Sequence, residues 1–253
     1  MIGQIAHKVL NAAGYSLLSL ERLKKLRILE NYKPSENVLA EHLRRVFTRH
    51  QVDCVFDVGA NDGAYAEWLR SEVGFKGHVV SFEPIADQVR ILEQKSATDP
   101  LWTIFSCALG RVVGTQEFHV MESDVFSSFL MPDPSQPGKY ADSNRVSRSI
   151  PVEVSTVAEV WQKIRTQHGL SRLYLKMDTQ GFDLEVFAGA HDVLGSIVAL
   201  QSELAFRGIY QDGADYSQAM SAFAAAGFRP SMLHPISFDE NLAMIEADGV
   251  FVR

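Results

Sequence analysis

From residue 52 onward the chain alternates short runs of β-branched and apolar residues with stretches of helical spacing, and this alternation constrains the fold more than any other feature. A strand followed by a helix and a second strand makes a crossover unit. Repeated crossovers build a mostly parallel sheet covered by helices on both faces. Residues 52–58 read as the first strand, leading into a helix in which Tyr65, Trp68 and Leu69 share one face. His78–Phe82 reads as the second strand, 85–96 as a helix with Val89 and Leu92 inward, and 102–109 as the third strand. Helical spacing returns over 156–167, and Leu173–Met177 is a strongly apolar strand ending at Asp178. A short helix holds Leu184, Val186 and Phe187, and 198–206 is the next strand. A helix over 219–226 stops at Gly227, and two terminal strands are expected near 230–233 and 249–252. The fold class is therefore α/β, a doubly wound sheet.

One segment breaks the rhythm. Residues 114–151 contain Pro132, Pro134, Pro137 and Pro151, four of the nine prolines, and are expected to form a long loop or lid. The length of 253 residues fits one large α/β domain with at most an appendage, so 52–253 is taken as the domain and 1–51 as an N-terminal helical extension. The net charge of −7 disfavours a protein that coats a nucleic-acid backbone and favours a small-molecule, sugar or protein substrate. Residues 1–30 run against that balance, with five Lys or Arg against two Glu. Beside these, Leu17, Leu20 and Leu23 repeat at three-residue spacing, so a helix lying on an anionic membrane or on a partner stays open beside the preferred reading, a helix packed on the domain. The uncharged run 9–20 is interrupted by Asn11, Gly14, Ser16 and Ser19, which makes a poor signal peptide and points to the cytoplasm. Cys54 and Cys107 have no metal-binding spacing and are expected to be free thiols.

The chemistry gathers where the first strand enters the first helix, at Asp57-Val58-Gly59-Ala60-Asn61-Asp62-Gly63. Gly59 and Gly63 let the backbone turn sharply and approach a ligand closely, and amides at the helix start face that space. A dinucleotide-binding turn would need glycines where Asn61 and Ala64 stand, which disfavours a nicotinamide oxidoreductase. Glu83, at the carboxyl end of the second strand, is placed to accept hydrogen bonds from both hydroxyls of a ribose. Together these features point to a nucleoside-bearing ligand.

The stretches VFDVGANDGAYAEWL, SFEP, SCALG and LYLKMDTQGFDLEVFAGA together resemble the FkbM family of S-adenosylmethionine-dependent methyltransferases, in the family's order from about Val52 onward. The resemblance implies the seven-stranded class I methyltransferase sheet, with six parallel strands and one antiparallel. It implies that Asp57, Gly59, Asn61 and Gly63 hold the methionine portion of the cofactor and Glu83 the ribose, with Pro84 fixing the acidic turn and Ala108 bordering the adenine. Thr156-Val157-Ala158 and Asp183 depart from the family pattern, which leaves a cap or substrate role at those positions open. That fold would put the two cysteines on the first and third strands, about 9.6 Å apart at two strand spacings, too far for a disulfide.

For the transfer itself, Asp178 ends the fourth strand and Glu203 lies in the fifth, so their carboxylates are the leading catalytic pair for orienting or deprotonating a hydroxyl. A divalent cation held by both is an alternative, as is a capping role for Asp178. Lys176 falls on the same strand face as Asp178, either as a participant or as a charge partner. His234 is the one histidine near a late strand end, and Arg145 and Arg148 would either grasp an anionic acceptor or sit solvated. The residues after the fourth strand lack the Pro-Pro-aromatic arrangement of amino-group methylation of bases. The family resemblance, with a net acidic charge that disfavours polynucleotides, implies an O-methyltransferase acting on a hydroxyl of a sugar, glycan or polyketide-like metabolite. The alternative from a different class is a catalytically silent cofactor-binding scaffold.

Overall fold

Two strands carry almost nothing but apolar residues, because both of their faces are covered. These are β1 (Cys54–Val58) and β7 (Leu173–Met177), buried along their whole length at the centre of the main sheet. The computed structural model describes residues 34–253, and residues 39–253 form one compact unit. The amphipathic stretch 1–30 lies outside the described residues. In chain order α1 (Pro34–His50) precedes β1, and α2 (Ala64–Trp68), β2 (His78–Phe82), α3 (Ala86–Ser96) and β3 (Trp102–Phe105) follow it. A second group comprises β4 (Ala108–Leu109), β5 (Gly114–Met121) and β6 (Val146–Ser155). After it come α4 (Val157–His168), β7, α5 (Asp183–Ala188), β8 (Ile197–Ala205), α6 (Tyr216–Ala225), β9 (Arg229–Phe238) and β10 (Met244–Val252).

The main sheet has seven strands in the order β3-β2-β1-β7-β8-β10-β9. β1 pairs in parallel with β2 on one side and β7 on the other, and β7 pairs in parallel with β8. β10 runs antiparallel to both β8 and β9, because the turn between β9 and β10 is too short for a crossover. Six strands thus share one direction and one opposes them, the arrangement the family resemblance implies. One face buries Phe56, Phe82, Trp161 and Leu175 against α4 and its neighbours. On the other, Leu43 and Phe47 of α1 pack with Val55, Leu69 and Tyr174. Strand direction brings the carboxyl ends of β1, β2, β7 and β8 to one edge of the sheet, where the loops gather.

Three expectations are corrected. Residues 102–109 are two strands, not one. Ser106 and Cys107 interrupt the run, so β3 stays in the main sheet while β4 joins β5 and β6 in a separate three-stranded sheet. Cys107 therefore sits in a bend rather than on a strand. Both thiols are free, and burial pushes that of Cys107 up to about 11. The segment 114–151, expected as a loop, holds β5 and most of β6, paired antiparallel from Gly114 opposite Val154 to Met121 opposite Val146. Its prolines had masked the alternation that buries Phe118 and Val120. Pro132, Pro134 and Pro137 lie in the excursion between the two strands, and Pro151 stands opposite Glu117. Finally, β9 and β10 are longer than the sequence suggested. β9 tolerates Pro230 and Pro235 because it is the edge strand and has a partner on one side alone.

Candidate functional site

At the β1 edge, Gly59 adopts φ +79, and a Cβ there would stand 2.0 Å from the carbonyl oxygen of Asp178. Both facts demand glycine, since they let the β1 loop and the β7 loop touch. The turn's amides are largely committed. Gly59 N and Ala60 N donate to the Phe82 carbonyl, and Asn61 N donates to Glu83 Oε2 at 2.8 Å. Asn61 is itself left-handed at φ 46, a conformation asparagine tolerates better than most residues. Gly63, at φ +83, faces Leu92 and Trp102 closely enough that a side chain would collide, so it is a packing glycine beneath α3.

A cavity of about 340 Å³ opens along this edge. Of the residues assigned to the cofactor, Gly59, Asn61, Glu83, Pro84 and Ala108 line it, whereas Asp57 and Gly63 do not. Asp57 is fully buried beneath the turn, where Ser81 Oγ donates to its Oδ2 and Lys176 Nζ lies 3.0 Å from Oδ1. The sheet register explains that ion pair, because Asp57 stands opposite Lys176 across β1 and β7. Lys176 also lies 3.4 Å from Asp178 Oδ2 and 4.9 Å from the centre of the Tyr65 ring. Burial works against its charge, but Asp57 and Asp178 outweigh burial and hold the ammonium above its ordinary pKa. Lys176 is thus a cation that anchors carboxylates, with no proton to spare at neutral pH.

Glu83 is clamped by two amides, with Ile85 N donating to Oε1 at 2.9 Å and Asn61 N to Oε2. Burial still pushes its pKa up to about 7. Asp178 and Glu203 both line the cavity, and Gln180 bridges them, its Nε2 lying 3.0 Å from Asp178 Oδ1 and 3.1 Å from Glu203 Oε2. Burial raises the Glu203 pKa well above the usual carboxylate range, and the neighbouring Asp178, Glu246, Asp183 and Asp248 add to the effect. Asp248, opposite Glu203 across β8 and β10, also lines the cavity, and burial pushes it up to about 6. Among the described residues, no group of three or more His, Cys, Asp or Glu side chains is arranged to hold a metal ion.

Residues outside the sequence-derived set complete the cavity. Asp124, Val125, Ser127 and Phe129 come from the excursion between β5 and β6, and Phe118 from β5 itself. Gln180 lies within LYLKMDTQGFDLEVFAGA, where the sequence alone gives it no role, and Asp248 follows no pattern that separates it from surface carboxylates. Asp183 proves to be an organiser. Its Oδ1 accepts from Thr179 N and Oγ1, and its Oδ2 from Ser202 Oγ at 2.7 Å and Glu203 N at 3.1 Å, so it ties β7 to β8 behind the catalytic candidates. Thr156 caps α4 by accepting from Glu159 N at 3.1 Å. Arg145 pairs with Glu122 on the surface, Arg148 stands opposite Val120 on β6, and His234 stands opposite Asp248 on β9; none of the three lines the cavity.

Among solved structures, the chain is similar to a magnesium protoporphyrin IX methyltransferase from Synechocystis with bound SAM, at 12% identity over 99% of this chain and 96% of that one, TM-score 0.45. It is also similar to the Burkholderia thailandensis 1,6-didemethyltoxoflavin-N1-methyltransferase with bound 1,6-didemethyltoxoflavin and S-adenosylhomocysteine, at 9% identity over 87% and 77%, TM-score 0.44. A third is Aeropyrum pernix fibrillarin in complex with S-adenosyl-L-methionine, at 10% identity over 79% of this chain and 66% of that one, TM-score 0.43. The curated proteins give no match. No helix among the described residues is long and apolar enough to cross a membrane. The family model for the methyltransferase FkbM domain matches residues 57–230, well over half of the 253 residues, and the chain therefore belongs to the FkbM methyltransferase family.

Proposed function

We propose that this protein is an S-adenosylmethionine-dependent O-methyltransferase that methylates a hydroxyl group of a sugar, glycan or polyketide-like metabolite. The observation that carries the cofactor is Glu83, a buried carboxylate at the end of β2 that lines the cavity beside the Gly59 turn. A ribose diol supplies two donors to such an acceptor. The cavity falls in the usual size range of small-molecule sites. Ile85, Leu109, Phe118 and Phe129 give it an apolar section suited to a flat base, next to Ala108. Asp57 acts from below, holding Lys176 and through it the backbone of Gly59, whose carbonyl lies 3.4 Å from Lys176 Nζ.

S-adenosylmethionine supplies an electrophilic methyl group on a sulfonium centre. The chain's own residues then need to orient an acceptor oxygen, exclude water and take the proton that leaves it. Asp178 and Glu203, joined by Gln180 at the same edge, are suited to the last task, with Asp248 beside them. Oxygen is favoured as the target because the acceptor end presents carboxylates that receive a hydroxyl proton.

Calorimetry with S-adenosylmethionine, S-adenosylhomocysteine and NAD side by side tests the cofactor. Binding of the first two without NAD is expected, and NAD binding alone would overturn the proposal. A labelled-methyl screen over hydroxylated acceptors then tests the reaction, and a protein that binds S-adenosylhomocysteine yet labels no acceptor would fit the scaffold alternative.

A further inference from the structure

Gln180 holds a conformation that its residue type disfavours. Its φ is +54, in the left-handed region, and Gly181 follows at φ +87. A non-glycine residue stays there when surrounding contacts over-determine it, and such residues gather at functional sites. Three separate segments make those contacts. Ser128, from the excursion between β5 and β6, donates its hydroxyl to the Gln180 carbonyl at 2.8 Å. Tyr210, beyond β8, places its hydroxyl 2.9 Å from Gln180 Oε1 and 2.7 Å from the Phe126 carbonyl, so one proton serves two acceptors. The end of β7 supplies the turn itself. With its oxygen facing Tyr210, the amide turns its nitrogen to Asp178 Oδ1 and Glu203 Oε2 together.

We propose that Gln180 is a positioning residue of the transfer: its amide, aimed by Tyr210 and fixed by the strained turn, clamps Asp178 and Glu203 in one mutual arrangement and so selects which carboxylate oxygens meet the acceptor. The inference rests on the methyl-transfer reading for its purpose, but the clamp exists without it. Two carboxylates facing one cavity repel, and each also meets other charges. Lys176 lies against Asp178, while Asp183 from α5 and Glu246 and Asp248 from β10 face Glu203. A single NH₂ group donating to both members is the element that bridges them and fixes their mutual placement. A carboxylate at 180 would lose this ability when ionised, and an aliphatic side chain would lose it at every pH.

The test is a ¹³C NMR titration of the side-chain carboxyl carbons in the full chain, with Glu203 and Asp178 assigned through Glu203→Gln and Asp178→Asn. In Gln180→Leu the Glu203 resonance is expected to titrate higher by about one pH unit or more, since removing a donor from an ionised carboxylate disfavours that form. Tyr210→Phe keeps the ring and frees the amide, and is expected to shift the same resonance in the same direction by less. Tyr210→Phe also serves if Gln180→Leu does not fold. With an acceptor found in the labelled-methyl screen, Gln180→Leu is expected to lower kcat at least tenfold while KM for S-adenosylmethionine changes less than threefold. Unchanged titration of both carboxyls in a folded Gln180→Leu, or in Tyr210→Phe where the former is unfolded, overturns the proposal. Failure of S-adenosylhomocysteine to bind the wild type would instead sink the methyl-transfer reading and leave the titration result standing.

Discussion

If Glu83 receives the ribose as proposed, it is expected to couple ligand affinity to pH, and the size of the coupling follows from its surroundings. The residue is 5% exposed, and burial pushes its carboxyl up to about 7 although Ile85 N and Asn61 N pull it down. A ribose diol donates to the ionised carboxylate and gains nothing comparable from the protonated form. With titration near 7, the ionised fraction falls from about nine-tenths at pH 8 to about one-tenth at pH 6, which weakens affinity about tenfold, or about 1.4 kcal/mol. The assay is calorimetric titration of S-adenosylhomocysteine into the wild type and into Glu83→Gln at both pH values, in buffers of different ionisation enthalpy. Other groups titrate in this range, Asp248 and the ligand's amine among them, and the variant shares those. The ratio of the two affinities is therefore expected to change about tenfold, with more proton release on binding near neutral pH in the wild type than in the variant. Stability runs the opposite way in the ligand-free protein. The folded carboxyl titrates above its ordinary 4.5, so its contribution is fully present below about pH 4.5 and is lost as pH rises through about 7, some 3 kcal/mol in all. A wild-type to variant affinity ratio that stays constant from pH 6 to pH 8 would refute the reasoning.

Other consequences follow from the same geometry. Lys176→Met leaves the fully buried Asp57 without its ion-pair partner and is expected to cost about 3–5 kcal/mol in urea denaturation; a loss under about 1 kcal/mol would show that the pair does not anchor the turn. Gly59→Ala drives a methyl group into the Asp178 carbonyl at positive φ, so thermal melting should show a loss of about 3 kcal/mol or more. Asp178→Asn and Glu203→Gln should each reduce methyl transfer about a hundredfold or more while calorimetry shows S-adenosylhomocysteine affinity retained; unimpaired turnover in both variants would remove them from the proton-accepting role.

The strands and crossovers of the main sheet were legible because burial on both faces forces a continuous apolar run, as in Leu173–Met177, and little else in a soluble chain produces one. The Gly59 turn and Glu83 were legible for a related reason: a sharp strand-to-helix turn demands glycine, and a carboxylate at a strand end is conspicuous among apolar neighbours. The second sheet was not. β5 and β6 bury one face between exposed residues, and the prolines of the excursion hid that alternation. Asp57 shows the limit of motif reading, for a residue placed in the cavity by its position beside the glycine turn lies under it, paired with a lysine 119 positions later in the chain.

The order of apolar and turn-forming residues along the chain by itself determined the doubly wound sheet, the edge where its loops meet and the acid that faces that edge. These depend on periodicity and strand direction, which are local properties. Tertiary structure alone decided that Asp248 joins Asp178 and Glu203 at the cavity and that Asp57 is neutralised below it. It also decided that Gln180, Tyr210 and Ser128 converge there, because register between strands and the path of the excursion bring together residues whose separation in sequence carries no signal. Charges so assembled acquire their chemistry from burial and from one another, and neither exists until the chain has folded.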